Sequence, residues 1–173
     1  MKTFFTIILM VIAVNMYSQV GVSSGFTEGK WRTGGGVNLG FAGNNGWFFS
    51  INPFVGYMVH PRVELGVTAG YMFSNSNWMR TNMFSVGPYT NLFVTRNIFA
   101  RGHYEHLSGS ITYKQTDTQA RDFSENALWL GAGYQSTGRV RMQIGMQYNV
   151  LHDGQNSIFG SPWRQFGGVA LSL

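Results

Sequence analysis

His106 and Ser108 are the side chains in this sequence best suited to covalent chemistry. One residue separates them, so on a β-strand they share a face, where the imidazole could activate the hydroxyl as a nucleophile. Glu125 is the candidate carboxylate for orienting the ring. The spacing is compatible with an acyl hydrolase. We favour the simpler interpretation, in which His106 and Ser108 are polar residues at a strand end with no catalytic role.

Five ionisable residues on the polar sides of alternating segments form a second candidate site. They are Glu64, Arg101, His103, Glu105 and Arg141. If these sides face a narrow interior, an unpaired charge there is costly. We therefore expect both arginines to pair with the two glutamates, with the histidine beside them. A structural plug of hydrogen bonds is the favoured interpretation, and a switchable gate or proton path is the alternative.

Metal and nucleotide sites have little support in the sequence. His60 and His152 are isolated, and His103 and His106, three residues apart on a strand, point to opposite sides. The glycine run at residues 34–36 has no Lys-Ser/Thr partner and no following helix. The sequence therefore predicts no metal and no cofactor.

The composition favours a β-protein that differs from an ordinary soluble domain. Of the 173 residues, 11% are charged and 16% are aromatic, whereas a soluble domain has about 25% charged residues. The 23 glycines, together with many Phe, Tyr, Val and Ile residues, disfavour a helical bundle. Because Cys is absent, disulfides, thiolate metal sites and a cysteine-linked lipid anchor are excluded.

Residues 1–18 are predicted to be a cleaved signal peptide, and residues 19–173 the mature domain. Lys2 precedes an apolar run from Phe4 to Val14, which is too short for a bilayer core that needs about 20 helical residues. Ser18 is the small residue expected before the cleavage site. An exported protein has no nucleic-acid partner by default, despite the net charge of +5.

The rest of the chain alternates with a period of two residues, which indicates β-strands. From Val63 to Phe73 one side is wholly apolar, while the other carries Glu, Gly, Thr and Met; Val140 to Val150 behaves in the same way. Strands of soluble sandwiches have about 5–6 residues, whereas a tilted membrane-spanning strand needs about 9–11. The length of these runs favours a membrane barrel.

Eight alternating runs are predicted. They are Thr33 to Ala42, Trp47 to Val59, Arg62 to Phe73, Met83 to Val94, Ile98 to Tyr113, Ala127 to Gln135, Val140 to Val150 and Arg164 to Leu173. From the second connection onward, short turns alternate with long loops, as in an outer-membrane barrel. We therefore predict an all-β fold, an eight-stranded antiparallel up-and-down transmembrane β-barrel preceded by a signal peptide. Its polar faces would point inward, where eight strands leave room for little except side chains.

Aromatic residues near the predicted strand ends are candidates for two interfacial girdles. The outer group is Trp47, Trp78, Phe84, Trp129, Tyr148 and Trp163, and the inner group is Tyr57, Phe93 and Tyr134.

Two hairpins carry a family resemblance. Ile51 to Tyr71 (INPFVGYMVHPRVELGVTAGY) and Phe84 to Phe99 (FSVGPYTNLFVTRNIF) resemble the hairpins of small bacterial outer-membrane β-barrel domain proteins, the eight-stranded OmpA/OmpX-like barrels. The resemblance covers most of the mature chain and implies a fold and a location in the Gram-negative outer membrane. Such barrels usually end on an aromatic residue recognised by the barrel assembly machinery, whereas this chain ends with Val169, Leu171 and Leu173.

Three functions agree with this fold. The favoured one is a structural or surface-interaction protein whose outward loops, Lys114 to Asn126 and Leu151 to Trp163, are contact sites for an unknown extracellular partner. The second is a narrow porin-like channel. The third is a lipid A-modifying acyl hydrolase that uses His106 and Ser108, although in the barrel deacylase this pair resembles, the motif lies near the chain end and is followed by Asn, not by Gly109.

Four cations in or beside the outward loops are candidates for contact with lipopolysaccharide phosphates. They are Arg80, Lys114, Arg121 and Arg164. A soluble lipocalin-like barrel is the competing fold, but its interior would have to be apolar, whereas the predicted inner faces are polar.

Overall fold

Eight long β-strands form the protein in a computed structural model that describes residues 31–42, 46–114, 120–138, 140–155 and 157–172. They are β1 (Trp31–Ala42), β2 (Gly46–His60), β3 (Val63–Asn75), β4 (Met79–Phe93), β5 (Ile98–Tyr113), β6 (Ala120–Gln135), β7 (Val140–Asn149) and β8 (Trp163–Ser172). The predicted signal peptide, residues 1–18, lies outside the described residues.

The strands form one closed antiparallel barrel in which each strand pairs with its neighbours in the chain and β1 pairs with β8. The prediction of an eight-stranded up-and-down barrel is therefore confirmed. Closure leaves no free sheet edge, the condition that a strand protein must meet in hydrocarbon. The β1–β8 seam is short, since its register joins Arg32–Gly35 only to Val169–Ser172, whereas β5 and β6 pair continuously from Ile98 to Thr112.

Two strands begin several residues earlier than the alternation predicted. β4 begins at Met79 instead of Met83, and β6 begins at Ala120 instead of Ala127. The extra residues of β6 pair in register with the end of β5, from His106 to Thr112. Their two apolar residues, Ala120 and Phe123, lie on opposite sides of the strand, so period two has no apolar face to mark it. As a result, residues 120–126 belong to a strand and not to a loop.

The barrel has two different ends. Three short connections, at residues 61–62, 94–97 and 136–139, lie at the end where β1 begins and β8 finishes, which we call the turn end. The other connections lie at the opposite end, which we call the loop end; they include the tight β3–β4 connection at residues 76–78 and the long β7–β8 loop at residues 150–162. Gly138, in one short turn, has a φ of 117°, a conformation that side-chain-bearing residues rarely adopt.

The outer surface of the barrel is apolar. Val37, Leu39, Met142, Ile144 and Met146 are among many large hydrophobic side chains that stay exposed. A belt of this extent on a monomeric soluble protein would be an aggregation hazard. The apolar faces point outward and the polar ones inward, opposite to the arrangement that a lipocalin-like barrel requires.

Most of the aromatic girdle residues lie on the outer surface, but two do not. Trp47, Trp78, Phe84, Tyr148, Trp163, Tyr57 and Tyr134 are exposed. Trp129 and Phe93 are fully buried inside the barrel, so their assignment to the girdles is wrong. Both have the inward parity of their strands, shared with Gln135 on β6 and Asn91 on β4.

Inward glycines make room for this packing. A Cβ on Gly87 would collide with the backbone carbonyl of Tyr104, and one on Gly131 with that of Met146. Adjacent strands therefore approach closely at these positions, and bulkier polar and aromatic side chains elsewhere fill the space.

Within the described residues, no helix is long and apolar enough to cross a membrane.

Candidate functional site

The barrel interior contains two ion pairs at different heights, and each organises a layer of side chains. The turn-end layer consists of Arg32, Glu64, Tyr89, Asn91 and Gln135. The loop-side layer consists of His103, Glu105, Trp129, Gln147 and Arg164. Period-two alternation brings each of these side chains to the inner face of its strand.

Glu64 is the acceptor at the centre of the turn-end layer. Arg32 Nη1 lies 2.6 Å from Glu64 Oε2, Tyr89 Oη donates to Oε1 at 2.6 Å, and Asn91 Nδ2 donates to Oε2 at 3.2 Å. Arg32 Nη2 donates to Gln135 Oε1 at 3.1 Å. Because Arg32 and Glu64 are 1% and 0% exposed, this pair is wholly enclosed by protein.

Gln135 connects this layer to the turn end. Its Nε2 donates to the backbone carbonyl of Arg96 at 3.1 Å, and Asn97 Nδ2 donates to the carbonyl of Gln135 at 2.9 Å. Arg32 Nε remains buried without a hydrogen-bond partner, although the guanidinium also lies 5.5 Å from the ring centroid of Phe93. These contacts close the barrel interior near the turn end.

Glu105 plays the corresponding role in the loop-side layer. Arg164 Nη1 lies 2.8 Å from Glu105 Oε2, and Trp129 Nε1 donates to the same oxygen at 3.0 Å. The Arg164 guanidinium stacks over the indole at 3.9 Å, and its Nη2 donates to Gln147 Oε1 at 3.2 Å. Its side chain is 31% exposed, so this pair is only partly enclosed.

His103 belongs to a polar chain that assigns its tautomer. Arg164 Nη2 lies 3.5 Å from Nδ1, and because a guanidinium can only donate, Nδ1 must be the acceptor. Nε2 then carries the proton and donates to Thr68 Oγ1 at 2.8 Å, whose hydroxyl donates to the Gly87 carbonyl at 3.3 Å. This chain gives a neutral His103 a fixed structural role, with the tautomer assigned from its partners.

Arg101 lies between the two layers and interacts mainly with aromatic rings. Its Nε donates to Asn91 Oδ1 at 2.9 Å, and its guanidinium lies 4.8 Å from the centroids of both Tyr89 and Phe166. The expected pairing of Arg101 with a glutamate is wrong, since it forms no ion pair within the described part of the chain.

Arg141 also differs from its expected role. It faces the interior at the start of β7, and its Nε donates to the backbone carbonyl of Gly138 at 3.0 Å. The partners of the two glutamates are instead Arg32 and Arg164. Of the five residues predicted to form one network, the structure places Glu64, His103 and Glu105 in charge-bearing layers but assigns different arginines to the carboxylates.

Both of these arginines could have been identified by parity. Arg32 lies one residue before the predicted first strand and has the same parity as Gly34 and Gly36, which face inward. On β8, Val169 and Leu171 occupy odd positions and face outward, whereas Arg164 occupies an even position and therefore faces inward. Arg164 was a candidate for contact with lipopolysaccharide phosphates, but this parity directs its side chain into the barrel, where it binds Glu105 and Gln147.

The remaining cations of that group lie at the loop end. Arg80 is exposed, and its guanidinium lies 5.1 Å from the ring centroid of Phe73 on the outer face. Lys114 Nζ donates to Asn75 Oδ1 at 2.9 Å and to the Ser76 carbonyl at 2.7 Å, so it closes the β3–β4 connection. Arg121 is an exposed residue of β6.

The structure does not bring the predicted nucleophile, base and acid together. His106 and Ser108 are exposed on the outer face of β5, and His106 Nδ1 lies 2.7 Å from Asn126 Oδ1. Glu125 has the inward parity of β6 and binds elsewhere: it accepts from Ser157 Oγ at 2.6 Å and from the Ile158 N–H at 2.7 Å. The barrel wall thus separates the carboxylate from the histidine it would orient.

The interior also holds a cavity of about 210 Å³. Its polar lining includes Arg101, His103, Glu105, Gln147 and Arg164, and its apolar lining includes Phe54 and Phe166. The enclosed Arg32–Glu64 pair near the turn end supports a plugged interior. In the described ranges, no group of three or more His, Asp or Glu residues is placed to hold a metal ion.

No protein-family model and no curated protein matches the chain. Several solved structures are similar to it. One, described as "De novo design of transmembrane beta-barrels", is 16% identical with a TM-score of 0.43, over 85% of this chain and 98% of the other. The designed barrel TMB2.3, solved by solution NMR, is 18% identical with a TM-score of 0.44, over 84% and 94%.

A natural protein is also similar to this chain. The Yersinia pestis outer membrane protein Ail, in a phospholipid bilayer nanodisc, is 15% identical with a TM-score of 0.45, over 84% of this chain and all of Ail. At such identities, likeness concerns the barrel architecture. The site must therefore be interpreted from this chain's own residues.

Proposed function

We propose that this protein is an exported outer-membrane barrel with a surface-interaction role, in which the loop end makes contacts outside the cell and the interior is a structural plug. The observation that carries the proposal is the closed barrel with an apolar outer belt and ion pairs inside. Hydrocarbon can surround such a wall because the strands satisfy one another's backbone groups. The beginning of β1, the end of β8 and the short turns would then face the periplasm.

The loop end supports a contact role because part of it is held in place from inside the barrel. Glu125 binds Ser157 Oγ and the Ile158 N–H, and Phe159 packs against Trp129 with ring centroids 5.1 Å apart. The β7–β8 loop is thereby fixed to the barrel wall. A preorganised loop loses less conformational entropy when it binds a partner.

The outer rim also offers cations to membrane phosphates. Arg80 lies over Phe73, which packs against Trp47 with centroids 5.1 Å apart. An arginine beside exposed aromatic rings suits the boundary between acyl chains and headgroups. We propose that Arg80 and Arg121 contact lipopolysaccharide, with the barrel assembly machinery as the partner during insertion.

The location is tested by gel mobility of the full chain from outer-membrane fractions, with and without boiling in detergent. We expect a heat-dependent shift, because a closed barrel stays folded in detergent until heated. Recovery of the protein in the soluble periplasmic fraction, without a shift, would contradict the outer-membrane proposal.

Lipopolysaccharide contact is tested by two charge-matched double variants. Arg80→Gln with Arg121→Gln removes two cations at the loop end, and Arg62→Gln with Arg96→Gln removes two at the turn end. We expect only the first to reduce co-purification of lipopolysaccharide with the barrel. Equal retention in both variants would show that these contacts are absent.

Planar-bilayer conductance separates the plugged barrel from a porin-like channel. The enclosed Arg32–Glu64 pair blocks the interior near the turn end, so we expect no steady single-channel steps from the full-length protein. Regular steps of uniform size would instead favour the channel.

A further inference from the structure

Arg101 is an interior cation without a carboxylate partner in the described chain. The two interior ion pairs use Arg32 with Glu64 and Arg164 with Glu105. Arg101 has instead one hydrogen bond, from Nε to Asn91 Oδ1, and aromatic rings on either side. These contacts hold the guanidinium in place but include no carboxylate. A charge of this kind within a membrane-embedded barrel favours a counter-anion.

The Arg101 side chain lines the 210 Å³ cavity, and a second donor there is also unsatisfied. Gln147 is 1% exposed and lines the same cavity. Its Oε1 accepts from Arg164, whereas its Nε2 is buried without a hydrogen-bond partner. A buried donor in this state is costly and is expected to bind an acceptor.

The carboxylate and the imidazole in the cavity wall already have partners. Glu105 Oε2 receives both Arg164 and Trp129, and His103 Nδ1 faces Arg164 while its Nε2 donates to Thr68. With a neutral His103, the charged lining residues Arg101, Arg164 and Glu105 leave the cavity with a net positive charge. An added acceptor with negative charge would satisfy Arg101 and Gln147 together.

We propose that this cavity is a binding site for a small anion of carboxylate or phosphate size, held by Arg101 and Gln147. Arg101 supplies the charge and a planar pair of N–H donors that suits a carboxylate or phosphate edge. Phe166 on one side fixes the guanidinium plane. The volume admits such an ion with water but excludes large ligands.

Trp129 provides a reporter of binding because its indole N–H donates to Glu105 in the cavity wall. The experiment titrates the full-length protein in lipid nanodiscs with sodium acetate and, in parallel, with its neutral isostere acetamide, in a zwitterionic buffer. The indole ¹H–¹⁵N NMR resonance of Trp129 is followed. We expect a saturable shift with acetate and none with acetamide. A shift that grows linearly with concentration, or that is equal for the two probes, would overturn the proposal.

Two variants with the same change in charge localise the site. Arg101→Met removes the cation that lines the cavity, while Arg141→Met removes an interior cation that does not line it. We expect acetate to bind Arg101→Met at least about tenfold more weakly, as for loss of a charged hydrogen bond, and Arg141→Met to bind it like the unmodified protein. An equal loss of acetate affinity in both variants would show that the effect depends only on the net charge of the interior, and it would overturn the proposed site.

A third variant tests the site independently in case Arg101→Met does not fold. Gel mobility with and without boiling shows whether a variant is folded. Gln147→Met keeps the length of the side chain and every charge but removes the unsatisfied amide donor. We expect several-fold weaker acetate binding. Unchanged affinity in a heat-modifiable, folded Gln147→Met barrel would overturn the role of Gln147 and, with it, the two-residue site.

Discussion

The two interior ion pairs have the same chemistry and opposite surroundings. Arg32 and Glu64 are 1% and 0% exposed, whereas Arg164 is 31% exposed and Glu105 6%. The first pair is enclosed by Tyr89, Asn91 and Gln135 near the turn end, and the second borders the cavity. The two pairs therefore differ in burial and not in kind, and this difference divides the interior into a closed part near the turn end and a part that borders the cavity.

Enclosure makes the turn-end pair the more sensitive of the two. A fully buried pair gains little over an apolar replacement, but removing one partner leaves a charge that water cannot reach. The loop-side pair has a water-accessible cavity beside it, so a broken contact there can be replaced by hydration. The predictions below test this difference, beginning with the largest expected effect.

Glu64→Gln should be the most destabilising single change in this set. It leaves the Arg32 guanidinium buried without its anion, for which we expect a loss of about 3–5 kcal/mol in the free energy of unfolding. Urea unfolding in detergent micelles, followed by gel mobility, measures it. A loss below that of Glu105→Gln would reverse the comparison.

Replacing both charges should recover most of that loss. Arg32→Met combined with Glu64→Gln removes the stranded cation, while the new amide can still bind Tyr89 and Asn91. We expect the double variant to lie within about 1–2 kcal/mol of the unmodified protein, since neutral replacement of a buried pair is often tolerated. A double variant as unstable as Glu64→Gln alone would show that lost hydrogen bonds, and not the unpaired charge, cause the effect.

Much of the barrel could be predicted from the sequence because alternation is a local signal. Residues 63–73 and 140–149 alternate throughout, and all the predicted strand limits except the beginning of β6 agree with the structure to within four residues. The beginning of β6 was missed because its two apolar residues, Ala120 and Phe123, lie on opposite sides of the strand and leave no apolar face. Residues 120–126 form a strand because they pair with β5. This pairing cannot be recognised from the sequence of residues 120–126 alone.

The sequence could predict that charged side chains face the interior, but not which arginine pairs with which glutamate. Parity placed Glu64, Arg101 and Glu105 inside, but the choice of partner depends on barrel closure. Arg32 on β1 and Glu64 on β3 are separated by β2. The register of β1 with β2 and of β2 with β3 brings the two side chains together inside the barrel. The cavity was likewise beyond sequence reasoning, because it is the space left when side chains from several strands are packed.

Tyr89→Phe should have an intermediate effect within the closed layer. It removes one charge-assisted hydrogen bond, Tyr89 Oη to Glu64 Oε1 at 2.6 Å, and keeps the ring against Phe54 and Arg101. We expect a loss of about 1.5–3 kcal/mol in the same unfolding assay. Tyr71→Phe is the matched control, because its hydroxyl donates to a neutral partner, Asn82 Oδ1, at 3.3 Å. Equal losses in both would show that enclosure adds nothing to the Tyr89 bond.

Glu105→Gln should have the smallest effect of the four. The amide oxygen can still accept from Arg164 and from Trp129, and the guanidinium, about one-third exposed, can be hydrated from the cavity. We expect a loss of about 1 kcal/mol in the free energy of unfolding. Because the variant keeps Arg101 and Gln147 but removes a nearby negative charge, it should also bind acetate more tightly in the Trp129 titration. A stability loss as large as that of Glu64→Gln would mean that the loop-side pair is as enclosed in the membrane as the turn-end pair, and the division of the interior into closed and open parts would fail.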